Sequence, residues 1–380
     1  MNKEWETKTL GDVCHVYQPE TISQKQMIAG EHRVYGANGQ IGWHNQFNHE
    51  APQLILGCRG SCGTVHVTEP HSWINGNAMV VQPKDGVIDV SFLSYALKGG
   101  IELTDAITGA AQPQITRTSL MPLVITFPKL LAEQQRIVGL LDEAFEGLAT
   151  AKANAEKNLQ NARALFESHL QSVFTQRGAG WAEKRLGDVC KFENGDRGKN
   201  YPNRNEYVES GIPWINTGHI QPDGTLSTDE MNFITREKYD SLRSGKIQSG
   251  DLVYCLRGAT LGKTALVAPL TEGAVASSLV ILRPSSLLEG RFLYFFLTST
   301  LGQGLIKGFE NGAAQPNLGA KSVAKYPVSL PQISEQRKIA DSLIELREQT
   351  QRLARLYERK LAALEALKKS LLHQAFTGQL

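Results

Sequence analysis

Four groupings in this 380-residue sequence have residue types that could do chemistry, and the spacing of each decides against it. Gly258-Ala-Thr-Leu-Gly-Lys-Thr264 follows the apolar run Asp251–Cys255 and resembles a phosphate-binding loop. Such a loop needs four residues between its first Gly and the Gly-Lys-Thr triplet, so that successive amides wrap the phosphates, and then a helix N-terminus. Arg257 stands at the required Gly, and Ala265-Leu-Val-Ala-Pro269 reads as a strand, so nucleotide binding is not expected. A magnesium-dependent nuclease would pair an upstream Asp with Glu-x-Lys. Glu6-Thr-Lys8 lacks that Asp, and Glu358-Arg-Lys360 lies along a helical face. His32, His44, His49, His66 and His71 cluster in sequence, but not at the spacing of paired ligands on a helix or hairpin. Cys58 and Cys62 lie four apart, while Cys14, Cys190 and Cys255 are scattered. These five make neither a zinc quartet nor an even disulfide set, so reduced thiols and no metal are expected. A methyltransferase of its own would need a Gly-rich cofactor turn and an Asn/Asp-Pro-Pro-aromatic motif, and the sequence has neither.

The elements that would position any site are written in a repeat. Trp5-Glu-Thr-Lys-Thr-Leu-Gly-Asp-Val-Cys14 returns as Trp181-Ala-Glu-Lys-Arg-Leu-Gly-Asp-Val-Cys190. Gly109-Ala-Ala-Gln-Pro113 returns as Gly312-Ala-Ala-Gln-Pro316, and Glu133-Gln-Gln-Arg136-Ile137 as Glu335-Gln-Arg337-Lys-Ile339. The offset between copies grows from 176 to 203 and then stays near 202, which places insertions early in the second copy. A repeat of this length takes precedence over any short motif. Each copy begins with a stretch rich in Gly, Pro and Asn. Short β-type runs interrupt it, at Gln53–Gly57 and Asn77–Val81 in the first copy and at Asp251–Cys255 and Ser278–Leu282 in the second.

About 45 residues nearly free of Gly and Pro close each copy. In the first, Ile137, Leu141, Ala144, Leu148, Ala151, Ala155, Leu159, Ala162 and Phe166 recur at steps of three and four. In the second, Ile339, Leu343, Leu346, Thr350, Leu353, Tyr357, Leu361 and Leu364 do the same, with charges such as Arg352, Arg355, Glu358 and Arg359 alongside. So narrow an apolar stripe is a coiled-coil seam, on a helix about 65 Å long at 1.5 Å per residue. Two seams in one register within one chain suggest an antiparallel intramolecular pair; a coiled-coil dimer between chains is the alternative. The expected fold is α+β with a pseudo-twofold internal repeat. Two related mixed domains, 1–130 and 179–330, are separated by two long helices, 131–178 and 331–380, that form an antiparallel coiled coil.

Bulk properties set the surroundings. The chain is 41% apolar with a net charge of +2, which neither supports nor excludes a nucleic-acid partner. No apolar run approaches the roughly 20 residues of a membrane span. Met1–Leu10 lacks an apolar signal core, so a bacterial or archaeal cytoplasm and no membrane partner are expected.

Several blocks together carry a family resemblance: Val34-Tyr-Gly-Ala-Asn-Gly-Gln-Ile-Gly-Trp43, Leu56-Gly-Cys-Arg-Gly-Ser61, the two Ala-Ala-Gln-Pro blocks, Leu131-Ala-Glu-Gln-Gln-Arg-Ile-Val138, Pro331-Gln-Ile-Ser-Glu-Gln-Arg337, and the paired Phe174-Thr175 and Phe376-Thr377. In this order, twice, they resemble the specificity subunits of type I restriction-modification systems over essentially the whole chain. The resemblance implies a non-catalytic subunit whose two target-recognition domains each read half of a bipartite site on double-stranded DNA. It implies two methyltransferase subunits docked on the helices, and nuclease/translocase subunits beyond them. S-adenosylmethionine, ATP and magnesium would belong to those partners, with no cofactor on this chain. A specificity subunit of a methyltransferase-only system and a coiled-coil scaffold that binds no DNA are the alternatives.

Base edges in the major groove select Arg for guanine and Asn or Gln for adenine, because these pair bidentately. In the first domain Asn38, Gln40, His44, Asn45, Arg59, Gln112, Gln114 and Arg117 offer such groups in turn-rich segments. In the second they are Arg197, Lys199, Asn200, Arg204, Asn216, His219, Arg257, Lys263, Gln315 and Asn317. Arg59 and Arg257 recur as Arg-Gly at equivalent places. Recurrence in domains that would read different sequences suits a phosphate anchor rather than a base reader.

Overall fold

In a computed structural model, residues 4–109, 111–176, 178, 180–309 and 317–380 are described. They fold as two compact units: residues 1–157 with 357–380, and residues 158–356. The long helices run Leu131–Thr175 and Ile333–Phe376, and each contributes a segment to both units.

The first unit contains β1 (Trp5–Thr9), β2 (Cys14–Tyr17), β3 (His32–Gly36), β4 (Gly39–His44), β5 (Leu54–Gly57), β6 (Val65–Val67), β7 (Trp73–Ile74), β8 (Ala78–Pro83), β9 (Ile107–Thr108), β10 (Gln114–Ile115) and β11 (Val124–Pro128). Its main sheet has the order β2-β8-β5-β6, a second has β4-β3-β7, and β1 pairs with β11. The second unit contains β12 (Ala182–Arg185), β13 (Cys190–Asn194), β14 (Ile212–Ile215), β15 (Asn232–Ile234), β16 (Leu252–Cys255), β17 (Thr264–Leu266), β18 (Ala274–Val275), β19 (Leu279–Pro284) and β20 (Pro327–Leu330). It repeats the plan as β13-β19-β16-β17, β15-β14-β18 and β12-β20. Register repeats as well: Cys14 faces Pro83 in one unit and Cys190 faces Pro284 in the other. All four apolar runs singled out in the sequence are strands.

The shared Leu-Gly-Asp-Val block now has a physical reason. In both copies it makes one helical turn between the first two strands, with Leu10 and Leu186 fully buried. The Gly backbone lies close against the chain, donating from Gly11 to the Met121 carbonyl at 3.0 Å and from Gly187 to that of Ala324 at 2.8 Å. Asp12 and Asp188 accept the amides of Thr9 and Arg185, each at 3.2 Å, and so fix the turn.

Each long helix is anchored at its start by a fully buried glutamine. Gln134 accepts the Asp89 amide at 2.7 Å and donates to the carbonyls of Pro128 and Val87 at 2.7 and 3.3 Å. Gln336 accepts the Glu289 amide at 2.9 Å and donates to Pro331 and Leu287 at 2.9 and 3.0 Å. A buried amide pays off only when its donors and acceptor are all matched, which both glutamines achieve.

Within each unit the two helical segments run antiparallel. In the first, Lys368 lies over the Phe145 ring at 5.6 Å while Lys152 pairs with Glu365 at 2.7 Å, so numbering rises on one helix as it falls on the other. In the second, Leu170 and Phe174 share a core with Ala340 and Leu343, and Ala162 and Phe166 share a groove with Arg347–Ala354. The pairing therefore lies within the chain rather than between chains. Ile137, Leu141 and Leu343 are buried, and Leu148, Leu159, Phe166, Ile339, Leu346, Leu361 and Leu364 partly so. Leu353 is a correction: it is 41% exposed, and Ala354 turns inward instead. The buried Thr350 sets the phase there, and the residue one turn on at i+4 is Ala354.

Candidate nucleic-acid interface

The exposed groups gather where loops leave the main sheet of each unit. In the first unit the β3–β4 hairpin turns at Ala37-Asn38, with Gly39 in the left-handed region at φ 91°. The Ala37 carbonyl accepts from the Thr64 hydroxyl, tying the hairpin tip to the Cys58–Thr64 turn that carries Arg59. The Cys62 thiol lies 3.1 Å from the Pro113 carbonyl, Ile115 donates to Cys58 at 2.9 Å, and Arg59 bridges the backbone of Gln114. Asn38, Arg59, Gln112 and Gln114 thus come together in one loop cluster. Gln40 and Asn45 are exposed on the same hairpin, and Arg117 is exposed at the start of the helical turn Arg117–Leu120.

The second unit builds the equivalent place with different side chains. Leu318 donates to Leu256 at 2.9 Å, and Arg257 bridges Asn317 as Arg59 bridges Gln114. A cleft of about 560 Å³ opens there, lined by Asn194, Arg197, Arg257, Asn317 and Lys321, with no carboxylate among the described lining residues. Asp196 stabilises its rim by accepting the Gly198 amide at 2.7 Å and the Arg243 amide at 2.8 Å. Those amides, Arg243 first, hold its carboxyl below the usual carboxylate range. The pinned loop presents Arg197, whose Nη2 donates to Ser277 at 3.3 Å, and the exposed Lys199. Three cations and two amides converge there, with the Asp196 carboxylate at the rim turned onto backbone amides, and form a surface suited to phosphate oxygens and base edges.

Other candidates fall elsewhere. Lys263 is exposed in the β16–β17 turn, and Arg204 opens a short turn at Arg204–Glu206. The Asn200 amide donates to the Ser241 carbonyl at 2.6 Å, and Asn216 caps its own turn by accepting the Gly218 amide at 2.8 Å. Gln315 lies outside the described residues.

Two histidines are corrections. His44 is buried, accepting the Ile28 amide at Nδ1 (3.0 Å) with its ring edge-on to Trp73. His219 is buried likewise; its Nδ1 accepts the Asn216 amide at 3.1 Å, and burial pushes its pKa down. Each ring satisfies a loop amide that would otherwise be orphaned, which leaves neither free to enter a groove. Lys321 was not singled out from the sequence. Its signal lay just past the second Ala-Ala-Gln-Pro block, where Ser119 and Ser322 align and place Lys321 within one residue of Arg117.

The phosphate-loop-like segment is a hairpin. Gly258–Thr260 form a short turn, Gly262 and Lys263 exchange bonds with Cys255, and β17 follows where a helix would be required. The first unit makes the same turn with Gly57, Gly63 and Thr64. Among the described residues no helix is long and apolar enough to cross a membrane.

Comparison with known proteins agrees with this architecture. Residues 2–159 and 179–361 match the family model described as the type I restriction modification DNA specificity domain. The type I restriction enzyme MjaVIII specificity subunit of Methanocaldococcus jannaschii is 20% identical over 376 residues, covering 94% of this chain and 81% of that protein. The EcoBI specificity subunit of Escherichia coli is 22% identical, covering 86% and 73%. Among solved structures, a chain from work on assembly and conformational transition of the type I restriction-modification system superposes with a TM-score of 0.75, at 19% identity over 100% of this chain and 99% of that one. The HsdS subunit of Thermoanaerobacter tengcongensis gives 0.63, at 19% identity over 100% and 98%. The doubled sheet plan, the paired long helices and the match over both copies make this chain a member of the type I restriction-modification specificity subunits, the non-catalytic component of those enzymes.

Proposed function

We propose that each globular half reads one half of a bipartite, asymmetric DNA site, while the long helices dock two copies of a methyltransferase subunit. The observation that carries this reading is one fold built twice with the Arg-bearing loop in the same place, Arg59 beside Gln114 and Arg257 beside Asn317, amid otherwise different loops. A shared arginine suits the phosphate backbone common to any half-site, and divergent neighbours suit two different base sequences. The helical segments would set the gap between half-sites. S-adenosylmethionine would sit on the methyltransferase subunits, and ATP and magnesium on nuclease/translocase subunits, in a bacterial or archaeal cytoplasm where host DNA is the substrate.

Gel-shift assays of the chain, alone and with its methyltransferase subunit, test the reading. Binding that depends on a split target sequence is expected. Its absence in both cases would favour the scaffold alternative. Mapping methylated adenines in a host carrying the system gives the target itself. Lengthening both helices by four residues, about 6 Å, should widen the gap between half-sites by about one to two base pairs, and an unchanged gap would remove the ruler from this account.

A further inference from the structure

The loop that joins β14 to β15, residues 216–231, carries Asp223, Asp229 and Glu230 and neither Lys nor Arg. All three acidic residues are exposed. A loop laid along phosphates would be repelled at each of them, which sets this one apart from the preceding loop with Arg197, Lys199 and Arg204.

Its backbone goes elsewhere. Ile220 and Leu226 are buried and bridge one another, and the Gln221 amide donates to the Thr225 carbonyl at 2.9 Å, so the loop is a small hairpin with Pro222-Asp223-Gly224 at its tip. The Asp223 carboxylate accepts the Thr225 amide at 3.0 Å and its hydroxyl at 2.6 Å and so holds the tip in shape. The tip is gripped from three sides. The Leu266 amide on β17 donates to the Gly224 carbonyl at 3.0 Å. Tyr294, on the helix Gly290–Thr298, donates its phenol to the Asp223 carbonyl at 3.0 Å, and a Cβ at Gly224 would stand 2.2 Å from its ring. With φ at 83°, Gly224 is demanded by backbone as well as by room. Arg347, on the second long helix, closes the set. Its Nη1 donates to the same Asp223 carbonyl at 3.0 Å, while its guanidinium lies 5.7 Å from the Tyr294 ring and 5.4 Å from that of Phe295.

The root of the hairpin leads to the cleft. The Ile215 carbonyl accepts the Ala276 amide at 2.8 Å, and the carbonyl of the next residue, Ser277, accepts from Arg197 on the cleft wall at 3.3 Å. The first unit is built otherwise. Phe145 aligns with Arg347 and Tyr95 with Phe295; these two rings meet at 5.5 Å, and the Tyr95 phenol donates to Asp142 on the same helix as Phe145. With only two residues between β3 and β4, that unit has no hairpin of this length to bring to its helix.

We propose that Arg347 is a positioning residue for DNA recognition by the second half: it latches the 216–231 hairpin to the long helix and fixes the angle at which the Arg257 cleft meets its half-site, while the hairpin itself touches no DNA. This rests on the half-site reading above. A cation stacked on two rings and donating to a carbonyl is a stiff fastening, because losing its direction forfeits both interactions at once.

Methylation of synthetic duplexes by the chain with its methyltransferase subunit tests the latch, the two half-sites being kept and the gap varied by one base pair either way. The unaltered complex should favour one gap. Arg347→Ala should keep the same bases at both half-sites but lose discrimination between gaps by about tenfold, the worth of one such fastening. Arg347→Lys, which can still donate to the Asp223 carbonyl, should recover part of it. Hydrogen exchange at Gly224, Thr225 and Ser227 should quicken in Arg347→Ala with β16 and β19 unchanged, which separates a released hairpin from a misfolded unit. Asp229→Lys should leave the salt slope of DNA binding as it is. Undiminished gap discrimination in Arg347→Ala overturns the latch, as does a changed base preference. A salt slope steeper by about one in Asp229→Lys would place the hairpin on the phosphates and overturn it too. An unaltered complex that reads sequence but tolerates every gap overturns the latch alone, and one indifferent to sequence overturns the half-site reading with it.

Discussion

The two units share strand order and register but differ in how the same frame is held and decorated. In the first, β3 and β4 are joined by a two-residue turn; in the second, sixteen residues, 216–231, separate β14 from β15. The segment that follows β15 is held by Arg283 on β19, which binds Asp251 through two bonds of 2.8 Å, reaches Glu193 at 3.6 Å and donates to the Lys246 carbonyl at 3.1 Å. Gln82 and Gln53 hold the corresponding places in the first unit, by the pairing of β8 with β2 and of β5 with β8. There the Gln53 amide donates to the Ala51 carbonyl at 3.2 Å and Gln82 is exposed. The 235–251 segment of the second unit, longer than its counterpart 45–53 in the first, has its Gly245 and Lys246 amides accepted by Glu193 at 2.8 and 3.2 Å and is tied down by charge. The frame is common property, and the fastenings follow the loops each copy must hold.

Breaking the fastening should produce the largest difference between the units. Arg283→Ala leaves Asp251 buried and unpaired and should cost about 3 kcal/mol or more, whereas Gln82→Ala should stay within about 0.5 kcal/mol. Hydrogen exchange in β16 and β19 against β5 and β8 measures this, and equal losses would remove the contrast. Gln134→Ala and Gln336→Ala should instead behave alike, each costing about 2 kcal/mol because a buried amide and carbonyls lose their partner. Denaturant midpoints that separate the two glutamines would mean that the anchors are not equivalent.

Arg59→Ala and Arg257→Ala should each weaken DNA binding about tenfold on every sequence and reduce the salt slope by about one. A loss confined to one base position would recast that arginine as a reader. Acidification should give the smallest effect. Burial lowers the pKa of His49 in the first unit and of His219 in the second. Their neutral forms therefore stabilise the fold fully above the unfolded value of about 6.5, and that contribution is lost as pH falls through the window down to the folded value. Urea midpoints at neutral and mildly acid pH should show both units responding; a response from one unit alone would separate the two histidines.

Much of this architecture could be read from residue spacing, because long apolar periodicities and exact repeats report directly on backbone geometry. The seam was legible from Ile137 to Phe166 and failed only at Leu353, where hydropathy favoured a leucine and the phase of the helix favoured Ala354. The loop candidates were less legible, since residue type cannot distinguish an exposed His from one that caps an amide, as at His44 and His219. Lys321 was missed because its neighbours in the cleft are distant in sequence, and Arg283 because a cation on a strand gives no sign of its buried partner. Gln134 and Gln336 stood in the repeated blocks as surface-like polar residues, and only the backbone groups around them show why the repeat keeps them.

Those two glutamines have a mechanical corollary. A side chain that grips three backbone groups of the adjoining segments allows the helix start no free swivel, so a rotation of the segments at Val87–Asp89 and Leu287–Glu289 would pass into the long helix instead of being absorbed by a slack joint. On the function proposed above, a subunit docked on these helices would feel through its own footing how each globular half has settled.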